Sequence, residues 1–474
     1  MIRIPVHIVS FLVENRAMVG VVLHLALSFI TTLHILYDKR HNPSIMGWLG
    51  ITWLSPFIGA AIYWAVGINR IHRSQLVRNR PLRPDLPSPL PSHPTLLDRY
   101  IANITHTAST AQNKIQVMLH PQQTFDHMLQ AIGQAQYSVT LCTYIFDMDH
   151  VGHRFVDALY KAKQRGVSVR ILVDAIGAQY SKTSSLKVLE EKGIPARAFL
   201  PSLWPWKAPY FNLRNHRKIM VVDGQLGFVG GTNIRADHLE DKAHHPTMQD
   251  LHFQVEGPAV NDLQAIFRDD WFFTTKEKLQ GKVWFNAQPT QSKVRLHVIE
   301  DGPDENYDRL RSVYLAAIAR AQKCIRIVTP YFVPDETIME ALIIAAKSNV
   351  QVQIVVPSKN NLMMVQWASQ VPLTDLHIQG CEIYESDPPF DHSKLFLVDD
   401  QDSFIGSANW DARSFVLNFE CAIHCKDADF SKHMHALVDQ KIRKSQRFES
   451  PYSSFRYSPK RLRDLSAHLI KGYL

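Results

Sequence analysis

What most constrains this chain is that it contains itself twice. Ala135-Gln-Tyr-Ser-Val-Thr-Leu-Cys-Thr-Tyr-Ile-Phe146 returns as Ala321-Gln-Lys-Cys-Ile-Arg-Ile-Val-Thr-Pro-Tyr-Phe332. Downstream, the stretch Ala158–Val173 returns as Ala341–Val356. In each copy an apolar β-branched run is followed by a helical pattern, a turn residue (Gly166 or Asn349) and a second apolar run. Strand, helix, strand in that order predicts βαβ units. The recurrence after roughly 180 residues is far beyond a solenoid period. Two fused, pseudo-symmetric α/β domains with a mixed sheet flanked by helices are expected. The first is expected over 113–290 and the second over 291–474. Five scattered cysteines are too few and too odd in number for a disulfide scaffold.

The N-terminal end follows a different rule. No charged residue occurs from Ala17 to Tyr37, nor from His41 to Asn69. Each run is long enough for a transmembrane helix of about 20 residues. A cleaved signal peptide is shorter and occurs once. Residues 1–70 are therefore expected to be a membrane anchor with two spans, turning at Asp38–Ser44, with Pro56 kinking the second. Arg70, Arg73, Arg78, Arg80 and Arg83 outnumber Lys39 and Arg40. The positive-inside rule then places both termini and the large domains in the cytoplasm. Six prolines from Pro81 to Pro94 mark a linker over 71–112. The net charge of +8 favours an anionic partner.

Each copy also carries one chemical motif. The first reads Asn215-His216-Arg217-Lys218-Ile-Met-Val-Val-Asp223, then Gly230-Gly231-Thr232-Asn233. The second reads Asp391-His392-Ser393-Lys394-Leu-Phe-Leu-Val-Asp399, then Gly406-Ser407-Ala408-Asn409. His and Lys two apart share a strand face. Asp223-Gly224 suits a hairpin turn. An imidazole, an ammonium and amide donors converging at one place suit a phosphoryl group. Two such sets would bring two histidines to one site. Asp223 and Asp399 read as mainly structural within the motif.

These motifs are the signature of the phospholipase D superfamily, and the chain further resembles the bacterial cardiolipin synthases of the two-span type. Gly67-Ile-Asn-Arg70, Arg214–Ile219, Val255–Val260, Asn409–Ser414 and Asn418-Phe-Glu420 carry that likeness over nearly the whole chain. Gly231 departs from it, standing where a serine is common. The resemblance implies a catalytic set of His216, Lys218, Asp223, His392, Lys394 and Asp399. Asn233, Asn409, Ser407, Asp250 and Glu420 would support it, with Asp250 and Glu420 each orienting the other half's histidine. One histidine would attack phosphorus and the other would protonate the leaving alkoxide. Arg214 and Arg217 beside His216, against Asp391 and Asp387 beside His392, favour His216 as the nucleophile.

The implied reaction moves a phosphatidyl group from one phosphatidylglycerol to another and releases glycerol, in a bacterial inner membrane. No cofactor, metal or nucleic-acid partner is implied. Hydrolytic phospholipase D activity is the nearest rival, and a nuclease or a non-enzymatic scaffold are more distant ones. Cys421, His424 and Cys425 read as strand packing, not a zinc site. The region of His238, His244, His245 and His252 reads as a solvated loop. Trp204 and Trp206 read as a packed or interfacial loop. Leu462, Leu465, Leu469 and Tyr473 form an apolar stripe that suits packing on the domain or docking on a membrane surface.

Overall fold

A computed structural model describes residues 15–38, 42–55, 57–67, 94–180, 183–201, 212–239, 248–452 and 458–471. The chain divides into two units, Met1–Arg70 with Ser202–Asn212, and Ile71–Pro201 with Leu213–Leu474. The arginines Arg70–Arg83, the linker prolines Pro81–Pro91, Trp204, Trp206, His244, His245 and Tyr473 lie outside the described residues.

In the first unit, a 23-residue helix spans Arg16–Asp38. Its stretch Arg16–Tyr37 is long and apolar enough to cross a membrane, and it is alone in this among the described residues. The second apolar run departs from expectation. It forms a helix over Asn42–Leu54, a short one over Ile58–Ile62 and a π turn over Tyr63–Gly67. The break has a local cause. Pro56 lies outside the described residues, and just after it Phe57 takes a left-handed backbone with φ of 60°. Thirteen helical residues rise only about 20 Å, short of a hydrocarbon core of about 30 Å. Polar groups on these helices pair with one another. Trp53 Nε1 donates to Thr32 Oγ1 at 2.9 Å, and Trp64 Nε1 to Thr31 Oγ1 at 3.1 Å. Tyr63 Oη lies 2.6 Å from His34 Nδ1. Such pairing is what polar side chains need in an apolar surrounding.

In the second unit the repeat becomes one mixed sheet. Its first half contains β1 (Thr110–Met118), β2 (Ser138–Thr143), β3 (Ser168–Asp174), β4 (Ala196–Phe199), β5 (Arg214–Asn215), β6 (Ile219–Val222), β7 (Leu226–Gly230) and β8 (His252–Glu256). Its second half contains β9 (Val294–Asp301), β10 (Cys324–Val328), β12 (Gln351–Pro357), β13 (Glu382–Ser386), β14 (Leu395–Val398), β15 (Asp402–Gly406), β17 (Asn418–Lys426) and β18 (Ser445–Arg447), while β11 (Phe332–Val333) and β16 (Trp410–Asp411) pair apart from it as a two-stranded sheet. The order is β18-β13-β12-β10-β14-β15-β17-β9-β1-β8-β7-β6-β2-β3-β4. Read outwards from the β9–β1 seam, the two halves match strand for strand as far as β13 and β4, and β18 is an added edge strand of the second half. Parallel pairing links β2, β3 and β4 in one half and β10, β12 and β13 in the other. Their neighbours β6 and β14 run antiparallel to β2 and β10.

Local chemistry repeats as well. Asp149 caps the helix His150–Gln164, accepting from Val151 and Gly152 N–H. Asp335 caps Glu336–Lys347 in the same way. Gly166 and Asn349 end these helices with φ of 90° and 64°, the left-handed termination that Gly and Asn tolerate.

Alternation along each strand sorts the core. Met220 and Val222 of β6 pack under the helices of the first half, and Phe396 and Val398 of β14 under those of the second. The intervening Ile219, Val221, Leu395 and Leu397 share a third cluster with Cys421, Ile423 and Cys425 of β17. The halves are thus joined by a common apolar layer. His424 points the other way, with Nε2 2.6 Å from Asp402 Oδ1.

Candidate active site

The two motif segments lie just before β6 and β14, at the end of the sheet where β2 and β10 finish. His216–Lys218 and His392–Lys394 are irregular backbone, not strand. Each segment is fastened to the opposite half. Asn215 pairs in parallel with Phe419, and Asp391 forms a parallel bridge with Gln249. The His216 amide donates to Phe419 O at 3.0 Å, and the His392 amide to Gln249 O at 2.7 Å. The next residue on each partner strand is a carboxylate, Glu420 or Asp250. His216 Nδ1 therefore meets Glu420 Oε1 at 2.9 Å, and His392 Nδ1 meets Asp250 Oδ2 at 2.8 Å. An imidazole giving its Nδ1–H to a carboxylate keeps Nε2 as a free base.

Lys218 Nζ donates to His216 O at 2.7 Å, and Lys394 Nζ donates to His392 O. Both ammonium groups are buried, and burial lowers their pKa first, to about 7 and about 8. Each is sustained by carboxylates, chiefly Glu420 for Lys218 and Asp250 for Lys394. The His216 pKa falls to about 4 through burial, with Glu420 opposing and Lys218 assisting. His392 is held well below its usual value by burial, then by Lys394 and Lys218. Burial would raise Glu420, but His216, Lys218 and Ser407 hold it at about 2, fully ionised. Asp250 is pushed up by burial.

Asn233 Oδ1 accepts from the Ile145 amide at 3.2 Å. Asn409 Oδ1 is buried with no hydrogen-bond partner among the described residues. Ser407 Oγ donates to Glu420 Oε2, and Asn418 Nδ2 donates to Glu420 Oε1 at 3.2 Å.

The departure at Gly231 has a steric reason. A Cβ there would lie 2.5 Å from Asp250 Oδ1. In the second half the same place holds Ser407 beside the longer Glu420 side chain. Aspartate brings its carboxylate closer to the neighbouring backbone, so Asp250 requires glycine where Glu420 admits serine. Gly231→Ser is expected to displace Asp250 and lower turnover by about 100-fold, the order seen when partners that orient a reacting imidazole are lost. Steady-state rates of that variant check it. A rate within twofold of wild type would mean the carboxylate relocates freely.

Asp223 and Asp399 are not brought to this place, which corrects their inclusion in the catalytic set. Each sits at the far end of its strand, in the turn, with φ of 54° and 50°. Asp223 accepts from the amides of Gln136, Tyr137 and Ser138, and Asp399 from those of Gln322, Lys323 and Cys324. They anchor the start of β2 and β10. The charge argument for His216 survives only in its Asp391 part, since Asp391 still favours the charged form of His392. Arg217 is spent on Asp270 at 2.7 Å and Glu300 at 3.2 Å, and Asp391 is paired with Lys441.

Sequence reasoning overlooked several neighbours. Tyr144 lies edge-on to His216 with ring centroids 5.3 Å apart, and Tyr331 lies 6.2 Å from His392. Both belong to the first repeated segment, just beyond β2 and β10. The carboxyl ends of parallel strands are where α/β folds place ligands, so that signal was available. His238, read as part of a solvated loop, is instead 2% exposed and 6.1 Å from His392. No group of three or more His, Cys, Asp or Glu is placed to hold a metal ion among the described residues.

A fused double α/β sheet with one histidine–lysine pair per half defines a phospholipase D-like protein. The profile of the family described as "Cardiolipin synthase, PLD-like domain" matches residues 128–271 and 314–442. Cardiolipin synthase 1 of Bacillus anthracis is 32% identical over 81% of this chain and 80% of its own length. The probable cardiolipin synthase YwiE of Bacillus subtilis (strain 168) is 27% identical over 96% of this chain and 93% of its own. The chain belongs to the cardiolipin synthase, PLD-like family. Among solved structures, phosphatidylserine synthase from Haemophilus influenzae Rd KW20 shares the fold, with a TM-score of 0.61 and 14% identity. That match covers 80% of this chain and 100% of the other.

Proposed function

We propose that this protein is a cardiolipin synthase that transfers a phosphatidyl group between two phosphatidylglycerol molecules through a phosphohistidine intermediate. The observation that carries the reading is the reciprocal pairing of His216 with Glu420 and His392 with Asp250, with a lysine beside each. The names of the relatives support the same reaction.

His216 Nε2 attacks phosphorus, and the glycerol oxygen leaves with a proton from His392. The phosphoimidazole formed is cationic while it keeps its Nδ1–H, so it needs an ionised counter-charge. Glu420, held at about 2 and accepting from Ser407 and Asn418, supplies one. This more heavily supported carboxylate, together with Asp391 beside His392, favours His216 as nucleophile. In the empty site His392 is neutral because Lys218 and Lys394 add to its burial. A phosphodiester anion lodged between those lysines offsets their charge and lets His392 hold its proton. His392 then takes the proton from the hydroxyl of a second phosphatidylglycerol. That oxygen displaces His216 from phosphorus. One P–O ester is exchanged for another, so the steps balance without a further reactant.

Lys218→Ala or Lys394→Ala is expected to reduce kcat/KM by about 100- to 1000-fold, the loss typical of a removed oxyanion donor. Reactions with saturating and limiting lipid measure it.

The first domain is assigned to 113–290 and the second to 291–474, behind an anchor at 1–70. The linker expected over 71–112 is shorter, because the helix Leu96–Thr105 packs Leu97 and Ile101 into the second half's core and β1 already begins at Thr110. The catalytic domains are assigned to the cytoplasmic face of a bacterial inner membrane, with the anchor crossing it once as Arg16–Tyr37 and a second time only if Asn42–Leu54, Ile58–Ile62 and Tyr63–Gly67 cross together. Protease accessibility in sealed inverted vesicles distinguishes that orientation from its reverse. The reaction itself is tested by incubating the purified full chain with phosphatidylglycerol alone. Cardiolipin with free glycerol is expected. Phosphatidic acid instead would make the protein a hydrolase, and no turnover would leave a scaffold.

A further inference from the structure

The helix Pro459–Leu469 is turned inside out for a soluble protein. Its Asp464 and Ala467 are buried, and His468 lies 3.1 Å from Ala368 O on the helix Met363–Ile378. At 100° per residue, the opposite side carries Leu462, Leu465 and Leu469. These are 68%, 41% and 85% exposed. An amphipathic helix normally spends its apolar stripe on the protein core. Here the fold uses the small and polar side and leaves three leucines outside. Ile470 adds to the same exposed end.

The charges bordering this stripe are Arg461 and Arg463, the latter also paired with Asp464 at 2.7 Å. Arg463 stacks on Trp367 at 4.6 Å and Arg461 on Tyr452 at 5.4 Å. Both basic groups are thereby held beside the leucines. Leucine in the centre with arginine on the flanks complements an anionic lipid interface. The patch also continues towards the site. Ala467 shares an apolar cluster with Val333, Val365 and Ala368, against which Tyr331 and Trp367 pack. Tyr331 is the ring that faces His392, and its hydroxyl donates to Asn361 Oδ1 at 2.9 Å. Immediately after Asn361, Leu362, Met363 and Met364 are also exposed.

We infer that Leu462, Leu465 and Leu469, with the neighbouring Leu362–Met364, form a membrane-docking surface that seats the His392 side of the site on an anionic bilayer. The occupant is the lipid surface itself, not a protein. The reading builds on the proposed lipid chemistry, but its placement of the helix can be measured without turnover.

Two measurements on the full-length protein test it. In the first, Leu469→Cys carrying a nitroxide is reconstituted in vesicles of phosphatidylglycerol and phosphatidylcholine in equal parts, in a Cys324→Ser background. Cys324 is the partly accessible cysteine, and the other four are buried. The label should be more accessible to oxygen than to a water-soluble nickel complex, unlike a label at exposed Glu340→Cys. Equal behaviour of the two labels overturns the inference. In the second, the Leu462→Ser, Leu465→Ser, Leu469→Ser variant should be slowed about tenfold on those vesicles. It should retain wild-type rates on a short-chain phosphatidylglycerol dissolved as monomers. Equal rates on vesicles, or parallel losses on both substrates, overturn the docking role. If wild type turns over neither lipid, the proposed reaction fails, and the nitroxide comparison alone decides the docking surface.

Discussion

Replacing His216 or His392 with Ala is expected to remove turnover by at least about 10,000-fold, because members of one nucleophile–acid set fail together. Each imidazole serves in both half-reactions, so neither can be spared. The double variant should be no slower than either single one. The fold should survive. The two side chains are at the edge of the cleft, 12% and 9% exposed. Glu420 keeps Ser407 and Asn418 as donors, and Asp250 keeps the Leu251 amide. Rates on phosphatidylglycerol, with thermal midpoints unchanged within a few degrees, check this result. A single variant retaining even a hundredth of the rate would sink the two-histidine mechanism. Brief reaction with labelled lipid followed by peptide mapping should place the label on the peptide containing His216. Label on His392 would mean that the more heavily supported carboxylate does not choose the nucleophile.

The repeat made the fold legible because it appears as local pattern: β-branched runs, helical periodicity and the Gly166 and Asn349 terminations. The family resemblance, not the motif, supplied Glu420 and Asp250 as partners of the two histidines, and backbone pairing one residue earlier is what brings them there. What stayed hidden depended on distance in space without a mark in sequence. Arg217 lies next to a reacting histidine in the chain, yet its charge is consumed by Asp270 and Glu300, which belong to distant segments. Asp391 is likewise paired with Lys441, although it still acts on His392 and Lys394. His238 sits among loop-like residues, and only the fold carries it beneath His392. The second apolar run shows the opposite limit. Composition alone favours one continuous helix there, but the left-handed Phe57 divides it. Gly231 was visible as a departure but not as a necessity, because its reason is the reach of Asp250.

Arg217 carries the second large expectation, this time on stability. Its guanidinium is fully buried, and each of its nitrogens has a partner. Nε donates to Glu420 O at 3.0 Å. Nη1 meets Asp270 Oδ2 at 2.7 Å. Nη2 reaches Glu300 Oε1 at 3.2 Å and Asp301 O at 2.9 Å. The fork thus ties the motif of the first half to β9 and β17 of the second. Arg217→Met keeps much of the volume but leaves Asp270 and Glu300 without their cation. A loss of about 3–5 kcal/mol is expected, the cost of breaking a buried ion pair from one side. Arg217→Lys should fall between, since an ammonium restores charge but cannot serve three directions at once. Thermal and denaturant unfolding of the full chain in detergent measure both. If Arg217→Met is as stable as wild type, the network contributes nothing net. The discriminating variant combines Arg217→Met with Asp270→Leu. Recovery of most of the lost stability would show that the penalty came from the abandoned carboxylate. Absence of recovery would assign it to the severed backbone contacts at Glu420 and Asp301, and activity should then fall along with stability.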